Sequence, residues 1–443
     1  MKKVITYGTN DLLHYGHIRL LERAKELGDY LIVGITSDGF DRARGKINVQ
    51  QSLMERIDAV RATGIADQIV VEEYEGQKID DIVKYGVDVF TVGSDWVGKF
   101  DYLNEYCKVV YLDRTQGISS SELRAEERKI RIGLVGASPN AMLMLEKFER
   151  ESHYVNGVEI TGICSNNTNL PTNLKSLPLL TNNLDELLHI SDAVYVISQP
   201  IHHYKQIKAA LLAKKHVLCE SPVCLNIEEY NDLRETSKTN HCLLMDGIKT
   251  AYSIAYNRML VLAKSGRIGE IISIDAVCTS LFDPNQSENA WNSITAWGPT
   301  AMLPVFQLLG TDYLSSQITT KKRSEMCDFD LFTKIEFVYP HAVASIKVGQ
   351  GVKSEGSLVI SGTKGYIYVP APWWKTDYFE LRYENPAENK RYFYQLEGEG
   401  IRNEIVTFVK NIEEKEASVN VGEYLSKEIV NIMHQYKHNK III

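Results

Sequence analysis

Long apolar runs are missing from this sequence. No stretch of its 443 residues is long enough to span a bilayer, so no membrane partner is expected. Excess positive charge is missing as well. Lys and Arg number 49 against 57 Asp and Glu, a net charge of −8, which argues against a nucleic-acid partner but still allows a local basic loop to hold a nucleotide. Cysteine is sparse. The seven, at 107, 164, 219, 224, 242, 278 and 327, are odd in number and form no Cys-x-x-Cys, which predicts reduced thiols in a cytoplasmic protein. The start, Met1-Lys2-Lys3, lacks the apolar core of a signal peptide. Low-complexity segments are absent.

What is present is the composition of a soluble globular protein, 44% hydrophobic and 24% charged, at a length that predicts two or three domains. Strand-like runs at 3–7, 30–36, 68–72, 88–92 and 108–112 alternate with helical patterns at 16–27, 51–63 and 77–85, and another helix is expected after 119. That alternation predicts a parallel sheet with helices on both faces. A charged segment, Glu122 to Arg131, leads into a second series. It begins with Ile132-Gly133-Leu134-Val135-Gly136 and a helix near 140–150. Strands follow at 158–164, 193–198, 216–219 and 242–245. After residue 248 the pattern changes to a helix near 252–264, a long strand at 269–280, and strands near 314–320, 330–339, 343–350, 355–361 and 365–369. Helices near 401–413 and 422–437 end the chain. The expected fold class is α/β: a Rossmann-like first domain, a second Rossmann domain, then an open, mostly antiparallel α+β sheet domain. The expected boundaries are 1–127, 130–247 and 248–443.

The chemistry is most legible at His14-Tyr15-Gly16-His17. Two imidazoles three residues apart, opening a helix after a strand and a Gly8-Thr9-Asn10-Asp11 turn, suit a polyphosphate in transfer. Helix N-termini carry unpaired N–H groups and the positive end of the dipole. Phosphoryl-type transfer needs alignment and charge stabilisation more than covalent help. Gly8 and Gly16 leave room for a nucleotide near the backbone. The competing reading, zinc, lacks a third protein ligand nearby in sequence, and no metal ligand set is assigned. Ser119 and Glu122 are spaced as a capping box. Arg114 precedes that helix start as a phosphate clamp. Lys46 lies on a polar loop, 37–48, with Arg42 and Arg44, a candidate lid. Trp96 either fills core or packs near the ligand.

These residues resemble the nucleotidyltransferase superfamily marked by His-x-Gly-His. Gly93-Ser94-Asp95-Trp96-Val97-Gly98-Lys99-Phe100-Asp101 and Arg114-Thr115-Gln116-Gly117-Ile118-Ser119-Ser120 are similar to two segments of its glycerol-3-phosphate cytidylyltransferases. The resemblance covers residues 1 to about 127. It implies that His14 and His17 stabilise the pentacovalent phosphorus of CTP. Thr9, Asn10, Tyr15 and Gly16 would line the triphosphate. Arg114, Thr115, Gln116, Gly117, Ile118, Ser119, Ser120 and Ser121 would close over CTP. Lys46 would contact its phosphates, with Mg²⁺ accompanying it, while Arg44 and Lys78 would hold the acceptor's phosphate. Asn10 stands where that family has Phe, and Arg44 where it has Lys, which bears on which polyol phosphate fits.

The second half resembles the glucose–fructose oxidoreductase and inositol dehydrogenase family. The carrying segments are Asp192–Val196 leading to Gln199-Pro200-Ile201-His202-His203, then Lys215–Pro222, Ser265–Glu270 and Ile360–Gly365. The resemblance implies NAD(P) held near Gly133, Gly136, Ala137, Ser138, Gln199, Pro200, His203 and Glu220. Departures are specific. Ser221 stands where the family has its hydride-transfer Lys, and Ala296 and Thr300 where it has an Asp and the acid/base His. A hydroxyl is a poor general acid near neutral pH. Ser138 in place of Gly crowds a pyrophosphate. Lys249 is the candidate replacement acid. The expected whole is a bifunctional protein: CMP transfer to a polyol phosphate, giving a CDP-glycerol-like product for a cell-wall or capsular polymer, with reduction of a keto precursor by the second half. The alternative is a catalytically silent binding or dimerisation module in that half. A homodimer is expected.

Overall fold

The structure is a computed structural model and describes residues 1–43, 49, 51–74, 76–113, 129–281, 291–324, 327–394, 398–414 and 420–443. Two compact units emerge: Met1–Lys129 with Val155–Gly157, and Ile130–Tyr154 with Val158–Ile443.

The first unit is built on strands β1 (Lys3–Gly8), β2 (Tyr30–Thr36), β3 (Gln68–Glu72), β4 (Val89–Gly93) and β5 (Lys108–Leu112). They form one parallel sheet in the order β3-β2-β1-β4-β5. The strands read as near-continuous apolar runs because both faces are covered. On one face Val4, Leu31, Val33 and Val89 pack with Leu21 and Ala24 of the helix Tyr15–Glu26 and with Ile57 and Val60 of Leu53–Ala62. On the other, Ile5, Tyr7, Ile32 and Phe90 pack with Ile82 of the helix Gln77–Tyr85. Residue parity along each strand thus decides which layer a side chain joins. A short helix, Asp38–Ala43, adds an element that the periodicity did not predict. Six residues give too little pattern. The order reverses between β1 and β4, and ligands of open α/β sheets bind at the carboxyl ends of strands at such a point.

The second unit repeats the principle. β6 (Ile130–Val135), β7 (Val158–Cys164), β8 (Leu179–Thr181), β9 (Ala193–Val196), β10 (His216–Glu220) and β11 (Leu244–Gly247) form a parallel sheet in the order β11-β10-β9-β6-β7-β8. Helices Leu184–Ile190, Pro200–Leu212 and Ile227–Thr239, which the sequence reading did not place, connect its strands. Their apolar residues join the buried core with Val194, Val196, Val217 and Cys219. A nine-stranded sheet follows, in the order β19-β18-β17-β16-β12-β15-β14-β13-β20. It holds β12 (Ile271–Ser280), β13 (Ser315–Ser324), β14 (Cys327–Val338), β15 (Val343–Gln350), β16 (Leu358–Gly362), β17 (Gly365–Val369), β18 (Tyr378–Tyr383), β19 (Lys390–Phe393) and β20 (Ile441–Ile442). The expected antiparallel pairing dominates, with parallel pairs at β12–β15 and β13–β20. The long helix Ser293–Leu309 covers this sheet, carrying Pro299 and Pro304 inside it.

Candidate functional site

The loop Gly8–His14 leaves β1 at the point where the first sheet reverses. His14 is not inside the helix, as its spacing from His17 suggested. It is the N-cap, with extended backbone (φ −125°, ψ 174°), and its Nδ1 accepts the Gly16 N–H at 3.0 Å. A neutral ring whose Nδ1 accepts carries its proton on Nε2, so His14 can present a donor on its other side. His17 stands in the first turn, and its ring stacks on that of His14 with centroids 4.0 Å apart and planes 26° apart. One ring is placed by capping and the other by helical rise. Together they put two imidazoles beside the dipole's positive end.

The loop is strained and clamped. Asn10 (φ 53°) and Leu12 (φ 47°) sit in the left-handed region, at about 1–2 kcal/mol for each such residue. The Asn10 amide folds back toward the Gly8 carbonyl at 3.4 Å. The Leu12 N–H donates to Gln51 Oε1 at 2.8 Å, and the Gln51 N–H to Asp11 Oδ1 at 3.0 Å. Beneath the loop lies Arg56, fully buried. Its guanidinium donates to the carbonyls of Thr9 (2.7 Å), Thr36 (2.9 Å) and Gln51 (3.1 Å), and pairs with Asp38 and, at 3.4 Å, with Asp41. Thr9 Oγ1 donates to Asp41 Oδ1 at 2.8 Å. Sequence reasoning passed over Arg56, Gln51, Asp11 and Asp41. One signal was available: Ser52 and Glu55 form a capping box that fixes the start of the helix bearing Arg56.

Lys78, a predicted acceptor ligand, is buried and ion-paired with Glu72, its ammonium 4.8 Å from the centre of the Tyr7 ring. Glu72 also accepts from Thr36 at 3.0 Å, and Tyr7 donates to Asp81 at 2.8 Å. Burial, reinforced by Asp81, pushes the Tyr7 hydroxyl far above its ordinary value. Gly34 is required beside this ring: a Cβ there would lie 2.2 Å from Tyr7 Cδ1. Trp96 packs on Phe100, centroids 5.8 Å apart, at the margin of the core. Tyr15 is exposed. Arg44, Lys46 and Arg114–Ser121 lie outside the described residues.

In the second unit, the turn after β6 is Gly136-Ala137-Ser138. Gly133 and Gly136 serve packing: a Cβ on the first would meet Leu187 at 2.7 Å, and on the second Ala141 at 3.1 Å. Ser138 caps the helix Pro139–Ser152, its hydroxyl accepting from the Ala141 N–H at 3.1 Å. Pro139, in the first turn, has no N–H to offer. Asn167 donates to the Ala137 carbonyl at 3.1 Å. A pyrophosphate would find two of the first-turn donors gone, so the turn fits a dinucleotide poorly. Gln199 caps the helix that Pro200 opens without a side-chain bond. His203 is fully buried. Its ring nitrogens face the carbonyls of Pro222 (2.9 Å) and Ser198 (2.7 Å), yet burial outweighs them and pushes the imidazole down to about 4.

Ser221 is buried at the end of β10. Beside it, desolvation drives three carboxyls up: Glu220 to about 7, Asp246 to about 6, and Glu404 well above its ordinary value, with Glu220 and Glu404 repelling each other. Tyr195 donates to Glu220 at 3.0 Å and Ser426 to Asp246 at 2.6 Å. Lys249, the candidate replacement acid, is committed to Glu399 at 2.5 Å. Among the described residues no group of three or more His, Cys, Asp or Glu could hold a metal ion, and no helix is long and apolar enough to cross a membrane.

Comparison with known proteins places these units. Residues 5–126 match the cytidylyltransferase-like family, and residues 130–248 the oxidoreductase family with an NAD-binding Rossmann fold. The glycerol-3-phosphate cytidylyltransferase of Bacillus spizizenii is 49% identical over 126 residues, 28% of this chain and 97% of that protein. That of Staphylococcus aureus is 48% identical over 130 residues, 28% of this chain and 95% of its own. KijD10, a 3-ketoreductase from Actinomadura kijaniata solved with TDP-benzene and NADP, superposes with a TM-score of 0.62 at 18% identity, covering 71% of this chain and 99% of that one. UDP-N-acetylglucosamine 3-dehydrogenase from Acidithiobacillus ferrooxidans gives 0.58 at 15% identity, over 70% of this chain and 97% of its own. At such identities the last two show fold alone. With nearly the full length of its 49%-identical relatives reproduced in the first unit, the chain belongs to the glycerol-3-phosphate cytidylyltransferase family of nucleotidyltransferases and continues into a segment similar to the oxidoreductase family's Rossmann fold.

Proposed function

We propose that the first unit transfers the cytidylyl group of CTP to a glycerol-phosphate-like polyol phosphate. An acceptor phosphate oxygen attacks the α-phosphorus, the bond to the β-phosphate oxygen breaks, and pyrophosphate leaves with a CDP-polyol formed. The observation that carries this reading is the stacked pair His14 and His17 at the carboxyl end of β1, 4.0 Å between centroids. Donors fixed before the reaction stabilise the charge that builds on the phosphoryl oxygens. Lys46 and Arg114–Ser121 hold CTP, with Mg²⁺ on its phosphates. Arg44 and Lys78 hold the acceptor, whose phosphate competes with Glu72 for the Lys78 ammonium. Supporting the product class are the names of the relatives, and such a product feeds a cell-wall or capsular polymer. The protein is read as a cytoplasmic homodimer. The test is pyrophosphate release with CTP and with ATP across a panel of polyol phosphates. CTP with a three-carbon or longer polyol phosphate is expected to be preferred, and a preference for ATP overturns the base assignment.

For the second unit the reductive reading is chemically attractive. Reducing dihydroxyacetone phosphate or ribulose phosphate would make one site's product the other site's acceptor. The residues favour the alternative, a binding module without hydride chemistry. Ser138 and Pro139 remove phosphate donors from the Rossmann turn, Ser221 and Thr300 stand where an acid is needed, and Lys249 is engaged by Glu399. Fluorescence titration with NADH and NADPH decides. No saturable binding below the millimolar range is expected, and tight binding of either restores the reductase.

A further inference from the structure

Glu399 is held by three lysines from three different elements. Lys147, on the helix Pro139–Ser152, reaches its two carboxylate oxygens at 3.0 and 3.1 Å. Lys375, after the Trp373-Trp374 turn, donates to Oε1 at 2.9 Å, and Lys249, just past β11, to Oε2 at 2.5 Å. The lysines hold the Glu399 carboxyl down to about 2, although partial burial alone would raise it. The backbone is bent to deliver it. Gly398, Glu399 and Gly400 all have positive φ (61°, 51° and 91°). Gly400 is required, since a Cβ there would lie 2.0 Å from the Lys249 backbone carbonyl, while one at 398 would lie 2.5 Å from the end of the Glu151 side chain.

Three ammonium groups meet a single carboxylate in direct ion pairs. Glu220 and Glu404 also act on Lys249, and burial pushes both toward their neutral forms. The cage is reachable, with 30% of the Lys147 side chain and 37% of the Lys375 side chain exposed. A tetrahedral dianion offers more acceptor oxygens and a closer charge match than a carboxylate, and lysine suits it as a mobile point charge.

We propose that Lys147, Lys249 and Lys375 form a phosphate-monoester site in the second unit, closed in this conformation by Glu399 as an internal stand-in for the ligand's phosphoryl group. None of the three lysines belongs to the Rossmann turn Gly136-Ala137-Ser138.

The test is calorimetric titration of the full-length protein with inorganic phosphate, glycerol phosphate and CMP. Removing the stand-in by Glu399→Gln is expected to tighten phosphate binding at least tenfold. Adding Lys375→Gln or Lys147→Gln to that variant is expected to abolish the gain, and this lysine dependence separates the site from the transferase centre. Within the part of the response that the lysine substitutions remove, a stronger response to glycerol phosphate than to CMP identifies a polyol phosphate as the source, and the reverse a nucleotide. Equal phosphate affinity with and without Glu399, or a gain that survives both lysine substitutions, overturns the proposal. Should Glu399→Gln fail to fold, Lys375→Gln in the native background still decides. It is expected to weaken phosphate at least fivefold, and no change counts against the site.

Discussion

Replacing Arg56 with methionine keeps most of the side-chain volume and removes the charge. The wild-type guanidinium makes bonds to the carbonyls of Thr9, Thr36 and Gln51 and pairs with Asp38 and Asp41, all from a fully buried position. Hydrogen bonds involving a charged group contribute roughly 1.5–3 kcal/mol each. Removing one member of a buried ion pair costs about 3–5 kcal/mol, because the partner charge stays behind. These terms overlap and do not add. The expected loss is therefore about 4 kcal/mol, a large share of the ~5–15 kcal/mol that holds a domain folded. With a urea slope near 2 kcal/mol/M, the midpoint falls by about 2 M. Loss of cytidylyl transfer along a urea series reads this unit specifically. Transfer in the absence of urea also falls, by about tenfold or more, because the Thr9 carbonyl that Arg56 anchors belongs to the loop that places His14. An unchanged urea midpoint together with unchanged turnover would refute the reasoning: the clamp would then be ornamental to both fold and chemistry.

Two further outcomes follow from the same geometry. His14→Ala and His17→Ala are each expected to lower pyrophosphate release by about a hundredfold or more, since each removes a preorganised partner of the developing charge. Near-normal turnover in either contradicts the mechanism. Glu220→Gln tests the buried acids by pH. The folded-state value of Glu220 is raised to about 7 from its ordinary 4.5, so its contribution is favourable below the ordinary value and is lost as pH rises through 7. The glutamine variant, which never ionises, is expected to gain melting temperature relative to the parent as pH goes from 5 to 8. A constant difference across that range argues that the group is not desolvated.

Much of the architecture could be read in the sequence, and the reason is periodicity. β1 to β5 and the helices at 15–26 and 77–85 fall close to their expected ranges because alternating parity and the 3.6-residue repeat are local properties. The signal for the proposed transferase centre is local too: His14 and His17 lie three residues apart, and a strand precedes them. What neighbouring residues could not disclose is long-range. That His14 would cap the helix and stack on His17, that Arg56 would sit beneath Thr9 from 47 positions away, and that Lys78 would meet Glu72 all depend on the sheet order β3-β2-β1-β4-β5. Likewise Lys147 and Glu399, 252 positions apart, meet only because a C-terminal turn returns to the first helix of the second Rossmann sheet. Short-range pattern sets which elements form. Which charges become neighbours is decided by burial, because only the closed tertiary structure removes the water that would otherwise keep them apart.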